Sequence, residues 1–104
     1  MANEDNCPVE ATLELIGGKY KALILWHLSQ GILRFSELRQ VIKGATPKML
    51  TQQLRELESQ QLVHRQGYPV IPPKVEYSLS ERGKSLMTVL DQLCVWGEEN
   101  RLTE

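Results

Sequence analysis

The sequence predicts an α+β fold that is mostly α: four helices, a β-hairpin and a long closing helix in one domain. Three observations predict it. Between Thr46 and Leu62 the apolar residues recur as Leu50, Leu54 and Leu57, the i, i+4, i+7 spacing of a one-sided helix. From Lys74 to Leu79 the period drops to two, with Val75, Tyr77 and Leu79 on one face of a strand. Near the end the helical period returns in Leu86, Val89, Leu90, Leu93 and Trp96.

The elements follow in order. Residues 1–6 are expected to be disordered, and 7–104 to form the single domain. Cys7-Pro8-Val9-Glu10 reads as a helix start, with Pro8 at the first position, where a missing N–H costs nothing. That helix has Val9, Leu13 and Ile16 as its apolar face and stops at Gly17-Gly18. A second helix from about Lys19 to Ser29 is apolar nearly all round (Leu23 to Leu28), which implies deep burial. Gly31 ends it, and Ile32 to Phe35 form a short extended segment. Ser36 is read as the N-cap of a third helix ending near Ile42, closed by Gly44. Thr46 then caps the next helix, with Pro47 at its first position. Val63 to Tyr68 and Lys74 to Leu79 are paired strands. Three prolines in the five residues 69–73 make their connection stiff. Ser80 caps the last helix.

The 41% hydrophobic and 24% charged residues of this 104-residue chain are ordinary for a globular domain. No apolar run approaches the roughly 20 residues of a membrane span, so no membrane partner is expected. The polar, acidic N-terminus is unlike a signal peptide, and a cytoplasmic location with reduced thiols is expected. Net charge is −1, which argues against indiscriminate nucleic-acid binding, but the distribution is uneven. Residues 34–75 carry seven cations against three acids, whereas 1–18 and 76–104 are acidic. A positive middle suits phosphate contact, with the two ends free for another task.

A short helix, a tight glycine-containing turn, a helix with a polar outer face, and a hairpin are the parts of a winged helix-turn-helix, here with a C-terminal dimerisation helix. Lys48, Thr51, Gln52 and Arg55 lie opposite the leucines of the 46–61 helix. Arg and Lys pair with guanine, Gln with adenine, and Thr with phosphate or a thymine methyl, so this face suits a DNA major groove.

Further stretches match in consistent order over about residues 7–97. They are C-P-V-E-A-T-L at 7–13, I-G-G-K-Y-K at 16–21, L-I-L-W-H-L at 23–28, L-R-F-S-E-L-R at 33–39, K-M-L-T-Q-Q-L-R-E-L at 48–57 and P-P-K-V-E-Y-S-L at 72–79. With them the chain resembles the HxlR-type transcriptional regulators, a winged helix-turn-helix branch close to the MarR group. It departs from their pattern at Tyr20, where Trp is usual, at Thr46-Pro47, where Ser plus a variable residue is common, and at Val70, where many members have Glu. The resemblance implies a homodimer on a pseudo-palindromic double-stranded DNA operator, joined through the terminal elements: Val9, Leu13, Leu86, Val89, Leu90, Leu93 and Trp96. The expected DNA contacts are Thr46, Pro47, Lys48, Thr51, Gln52 and Arg55 on the helix, Arg65, Tyr68 and Lys74 on the wing (66–75) near its tip, and Lys19, Lys21 and Ser36 at helix starts.

Cys7 and Cys94 lack CxxC spacing and nearby histidines, so no zinc site or other metal is expected. Cys94 reads as a buried small hydrophobe. Cys7 stands at a helix N-cap, where free N–H groups favour an anionic sulfur, although Glu10 opposes it. Some HxlR-type regulators use an N-terminal Cys there as a redox or electrophile sensor. His27 and His64 read as structural. No nucleophile–base pair, phosphate loop or paired carboxylates occur at useful spacing, so neither enzyme activity nor a cofactor is expected. The remaining alternative is a winged-helix module serving only protein–protein contact. The operator, the effector and the direction of regulation are not legible.

Overall fold

The computed structural model describes residues 7–102 and so leaves the expected disordered segment, 1–6, outside the described residues. Along the chain run α1 (Pro8–Ile16), α2 (Lys21–Leu28), β1 (Leu33–Arg34), α3 (Phe35–Val41), α4 (Pro47–Ser59), β2 (Val63–Tyr68), β3 (Lys74–Leu79) and α5 (Glu81–Glu99). The strands form one antiparallel sheet in the order β1-β3-β2. Tyr68 pairs with Lys74 at the hairpin end and Val63 with Leu79 at its base, and Leu33 of β1 pairs with Tyr77.

The core forms where the apolar faces meet. Ile24 and Leu25 of α2, Leu38 and Ile42 at α3, Leu50, Leu54 and Leu57 of α4, and Leu62 are all at most 2% exposed. The leucine stripe of α4 is therefore fully inward, which turns its polar face out. Tyr77 and Leu79 bring the inner face of β3 onto this core.

Three local readings change. The second helix begins at Lys21 rather than Lys19, because Gly18 takes φ +82° and the chain is still turning through Tyr20. The third helix is capped by Arg34, not Ser36. The Glu37 carboxylate accepts the Arg34 N–H at 2.7 Å, so the helix starts two residues earlier, Phe35 joins it, and Ser36 sits exposed in the first turn. The apolar stripe of α5 is two stripes: Leu90 is 4% exposed and Leu86 packs against the core, while Val89, Leu93 and Trp96 point outward. Positions 86 and 90 are one turn apart, so Leu90, buried, and Leu86, partly buried, both pack into this chain's own core.

The start of α5 is fastened to the end of α4. Gln61 takes φ +61° and bends the chain out of the helix. The Ser80 hydroxyl donates to the Gln61 carbonyl at 2.6 Å, the Ser80 N–H donates to the Leu62 carbonyl at 3.1 Å, and the Ser80 hydroxyl accepts the Gly83 N–H at 2.9 Å. A Cβ at Gly83 would run into the Leu62 carbonyl oxygen. Alanine normally stabilises a helix interior relative to glycine by about 1 kcal/mol. At this corner the sign inverts: Gly83→Ala is expected to lower unfolding free energy by about 1–3 kcal/mol in urea melts.

Candidate nucleic-acid interface

The geometry of α4 starts with its cap. The Thr46 hydroxyl accepts the Met49 N–H at 3.1 Å, and Pro47 opens the helix. With the leucines buried, Lys48, Gln52, Arg55 and Ser59 are exposed and Thr51 is half-buried. These residues line a shallow open concavity with Phe35, Pro47 and Glu56. Neither Lys48 nor Arg55 takes part in any ion pair among the described residues. Arg55 therefore does not pair with Glu56 or Glu58 across the turn. Glu56 instead accepts from the Lys21 ammonium at 2.9 Å, from below.

That bond removes Lys21 from the expected set of phosphate contacts. The Lys21 side chain is 8% exposed, and its charge is spent inside, on Glu56. Lys19 remains exposed, its Nζ 5.5 Å from the Tyr20 ring centroid. Arg65 also moves from its expected place. It lies in mid-strand opposite Tyr77, away from the hairpin tip. There it borders a second concavity with Thr51, Arg55, Glu58 and Tyr77. The sheet thus adds a second arginine beside the outer face of α4.

Lys74 and Tyr68 do sit at the tip. The Lys74 Nζ lies 4.7 Å from the Tyr68 ring centroid and 3.6 Å from the Glu76 carboxylate. The neighbouring Glu76 carboxylate, by hydrogen bonding, raises the Tyr68 phenol above its ordinary range. Exposed Arg39 and Lys43 lie on α3 and the turn after it. They were counted in the positive middle segment but not singled out, and their place beside the turn gives them the same exposure as Lys48. Phe35 lines the α4 concavity and was missed because it read as extended chain.

The rest of the expected set falls away from this face. Cys7 is exposed at the start of α1, and its side chain makes no capping bond. Cys94 is only half-buried, its Sγ 3.9 Å from the Glu98 carboxylate, so it is not the buried hydrophobe expected. His64 is exposed and His27 half-buried. Val9, Leu13, Leu93 and Trp96 are each more than half exposed, and Val89 is 42% exposed. Five of the apolar residues around them, Val9, Leu13, Ile16, Val89 and Leu93, line one groove between α1 and α5. Contiguous apolar surface of this kind marks association sites. No helix among the described residues is long and apolar enough to cross a membrane.

Comparison with known proteins agrees with this arrangement. The family profile described as HxlR-like helix-turn-helix matches residues 15–104. The HTH-type transcriptional regulator YtcD of Bacillus subtilis is 58% identical over 92 residues, spanning 88% of this chain and 73% of YtcD. The redox regulator HypR in its reduced form is 49% identical, with a TM-score of 0.89 over 91% of this chain and 94% of HypR. The reduced transcriptional regulator YodB from B. subtilis is 35% identical, with a TM-score of 0.78 over 90% of this chain and 93% of YodB.

Proposed function

The chain belongs to the HxlR-like helix-turn-helix family and is a DNA-binding transcriptional regulator, and from that premise we propose that it acts as a homodimer with α4 in the major groove. The observation that carries this reading is the outer face of α4. Lys48 and Arg55 are exposed and in no ion pair among the described residues, Gln52 and Thr51 stand between them, and Glu56 is held by Lys21. Arg55 and Gln52 read base edges; Lys48, Thr51 and the Thr46-Pro47 helix start lie against bases or phosphate. Arg65 adds charge from the sheet, and Lys19, Ser36, Tyr68 and Lys74 flank the contact. A DNA target puts the site of action in the cytoplasm. With a duplex operator selected from a random library, Arg55→Ala is expected to weaken specific binding by about 1–3 kcal/mol and to relax one base position. Unchanged binding by a folded variant overturns the assignment of Arg55.

A second copy covers the outward stripes of α1 and α5, bringing Val9, Leu13, Val89, Leu93 and Trp96 together across a two-fold axis. The two α4 helices then match half-sites about one helical turn, or a multiple, apart. Sedimentation is expected to give a dimer at micromolar concentration. Leu93→Glu, at a position 57% exposed in the single chain, is expected to give a folded monomer. A wild-type monomer removes this part of the reading.

HypR is a redox regulator solved in reduced and oxidized forms, and YodB has been solved reduced and after diamide treatment. In this chain the thiol suited to that role is Cys7, exposed at a helix start beside the apolar groove. Its oxidation, to an intersubunit disulfide or an adduct, reorients the two α4 helices. Cys7→Ser is expected to leave operator affinity insensitive to diamide in a gel shift. A variant as responsive as wild type places the sensor elsewhere.

A further inference from the structure

The last helix has a third face. Leu86 and Leu90 pack into the core, and Val89, Leu93 and Trp96 point outward. Lys84, Met87 and Asp91 follow i, i+3, i+7 and fall together on the side of α5 away from that outward stripe. They border a cleft of about 780 Å³ between α5, the end of α2 and β3. That volume suits a small molecule. The floor is apolar, with Leu28 and Leu79 buried and Met87 half-buried. Ile32 stands beside it, 60% exposed. At Gly31, which takes φ +151°, the wall is bare backbone, and a Cβ there would meet nothing within 4 Å.

The charges of this face are set apart along the helix. Seven residues of rise put Lys84 and Asp91 about 10 Å apart, with Met87 between them. Asp91 is exposed and in no ion pair among the described residues. Lys84 pairs with Glu81 at 3.1 Å, one turn back, and both side chains are largely exposed. An exposed pair of this kind is exchanged for another anion at little cost. The cleft therefore offers a cation, an apolar floor and a free carboxylate in line. The C-terminal end of α2, at Leu28 and Ser29, adds partial negative charge to its wall.

We propose that this cleft binds an elongated zwitterion, a small molecule with a carboxylate at one end, an ammonium group at the other and an apolar middle. The carboxylate pairs with Lys84 and the ammonium with Asp91, and the middle covers Leu79, Met87 and Ile32. The cleft shares no residue with the outer face of α4 or with the groove between α1 and α5, so the inference does not rest on the DNA-binding or dimer readings.

The test titrates the full chain with ω-aminooctanoate, octanoate and octylammonium, followed by amide NMR shifts. ω-Aminooctanoate is expected to move the signals of Gln30, Gly31, Ser78 and Met87 to saturation. Octanoate and octylammonium each lack one charged end and should bind at least about fivefold more weakly, as should ω-aminobutyrate, which is too short to span the two charges. Lys84→Ala should reduce the affinity for ω-aminooctanoate to that for octylammonium, and Asp91→Asn should reduce it to that for octanoate. Both side chains are exposed, so the melts of the variants should match wild type. Equal affinity for all four probes, or for wild type and both variants, overturns the zwitterion assignment. Shifts confined to the groove between α1 and α5, or no saturable shift at millimolar probe, overturn the site itself. A chain that enriches no DNA duplex fails the DNA-binding reading and leaves these outcomes unchanged.

Discussion

The ion pair between Lys21 and Glu56 decides what α4 can show. It joins the helix beneath to the helix on top, with the ammonium buried and the carboxylate half in water. Pairing two charges at such a place recovers little net energy, because both are desolvated. Its effect is positional. Glu56 lies on the border of the outer face, where an unheld carboxylate would repel phosphate. Lys21 draws it down against α2. The same bond sets the rotation of α4 that the leucines at 50, 54 and 57 allow, so sterics and charge agree on which side faces out. Losing either partner would strand the other, leaving Lys21 an unpaired cation in the core or Glu56 an unheld anion at the rim.

A second constraint ties this face to the rest of the chain. The corner made by Gln61, Leu62, Ser80 and Gly83 links the end of α4 to the start of α5 by two hydrogen bonds from Ser80, whose hydroxyl also caps α5. The backbone approach is close enough to exclude a Cβ at Gly83. The two helices are therefore closely packed and hydrogen-bonded at this corner.

Much of this was legible in the residues. Thr46-Pro47, the leucines and the alternation of Val75, Tyr77 and Leu79 are local signals, each set by a helix start or a period. They predicted the elements and the outward face correctly. The misses come from effects the local pattern does not carry. Ser36 looked like a cap, but Glu37 reached back to Arg34 and moved the start. Lys21 looked like a surface cation because its partner lies 35 residues on. Leu86 and Leu90 looked like one stripe with Val89, Leu93 and Trp96, since periodicity marks an apolar face without saying what covers each part of it. Arg65 was placed at the tip because only the pairing register shows how far it stands from the turn.

The sheet order β1-β3-β2 leaves β2 on an open border with one row of backbone groups unpaired. Such a border is a template on which another chain can add a strand. Here it is blunted from both directions. His64, Arg65 and Gln66 make it polar, Gly67 weakens it, and the prolines after Tyr68 cannot extend the ladder. The opposite border, β1, is two residues long and too short to recruit anything. Strand-to-strand growth of this sheet into aggregates is thereby disfavoured at both borders.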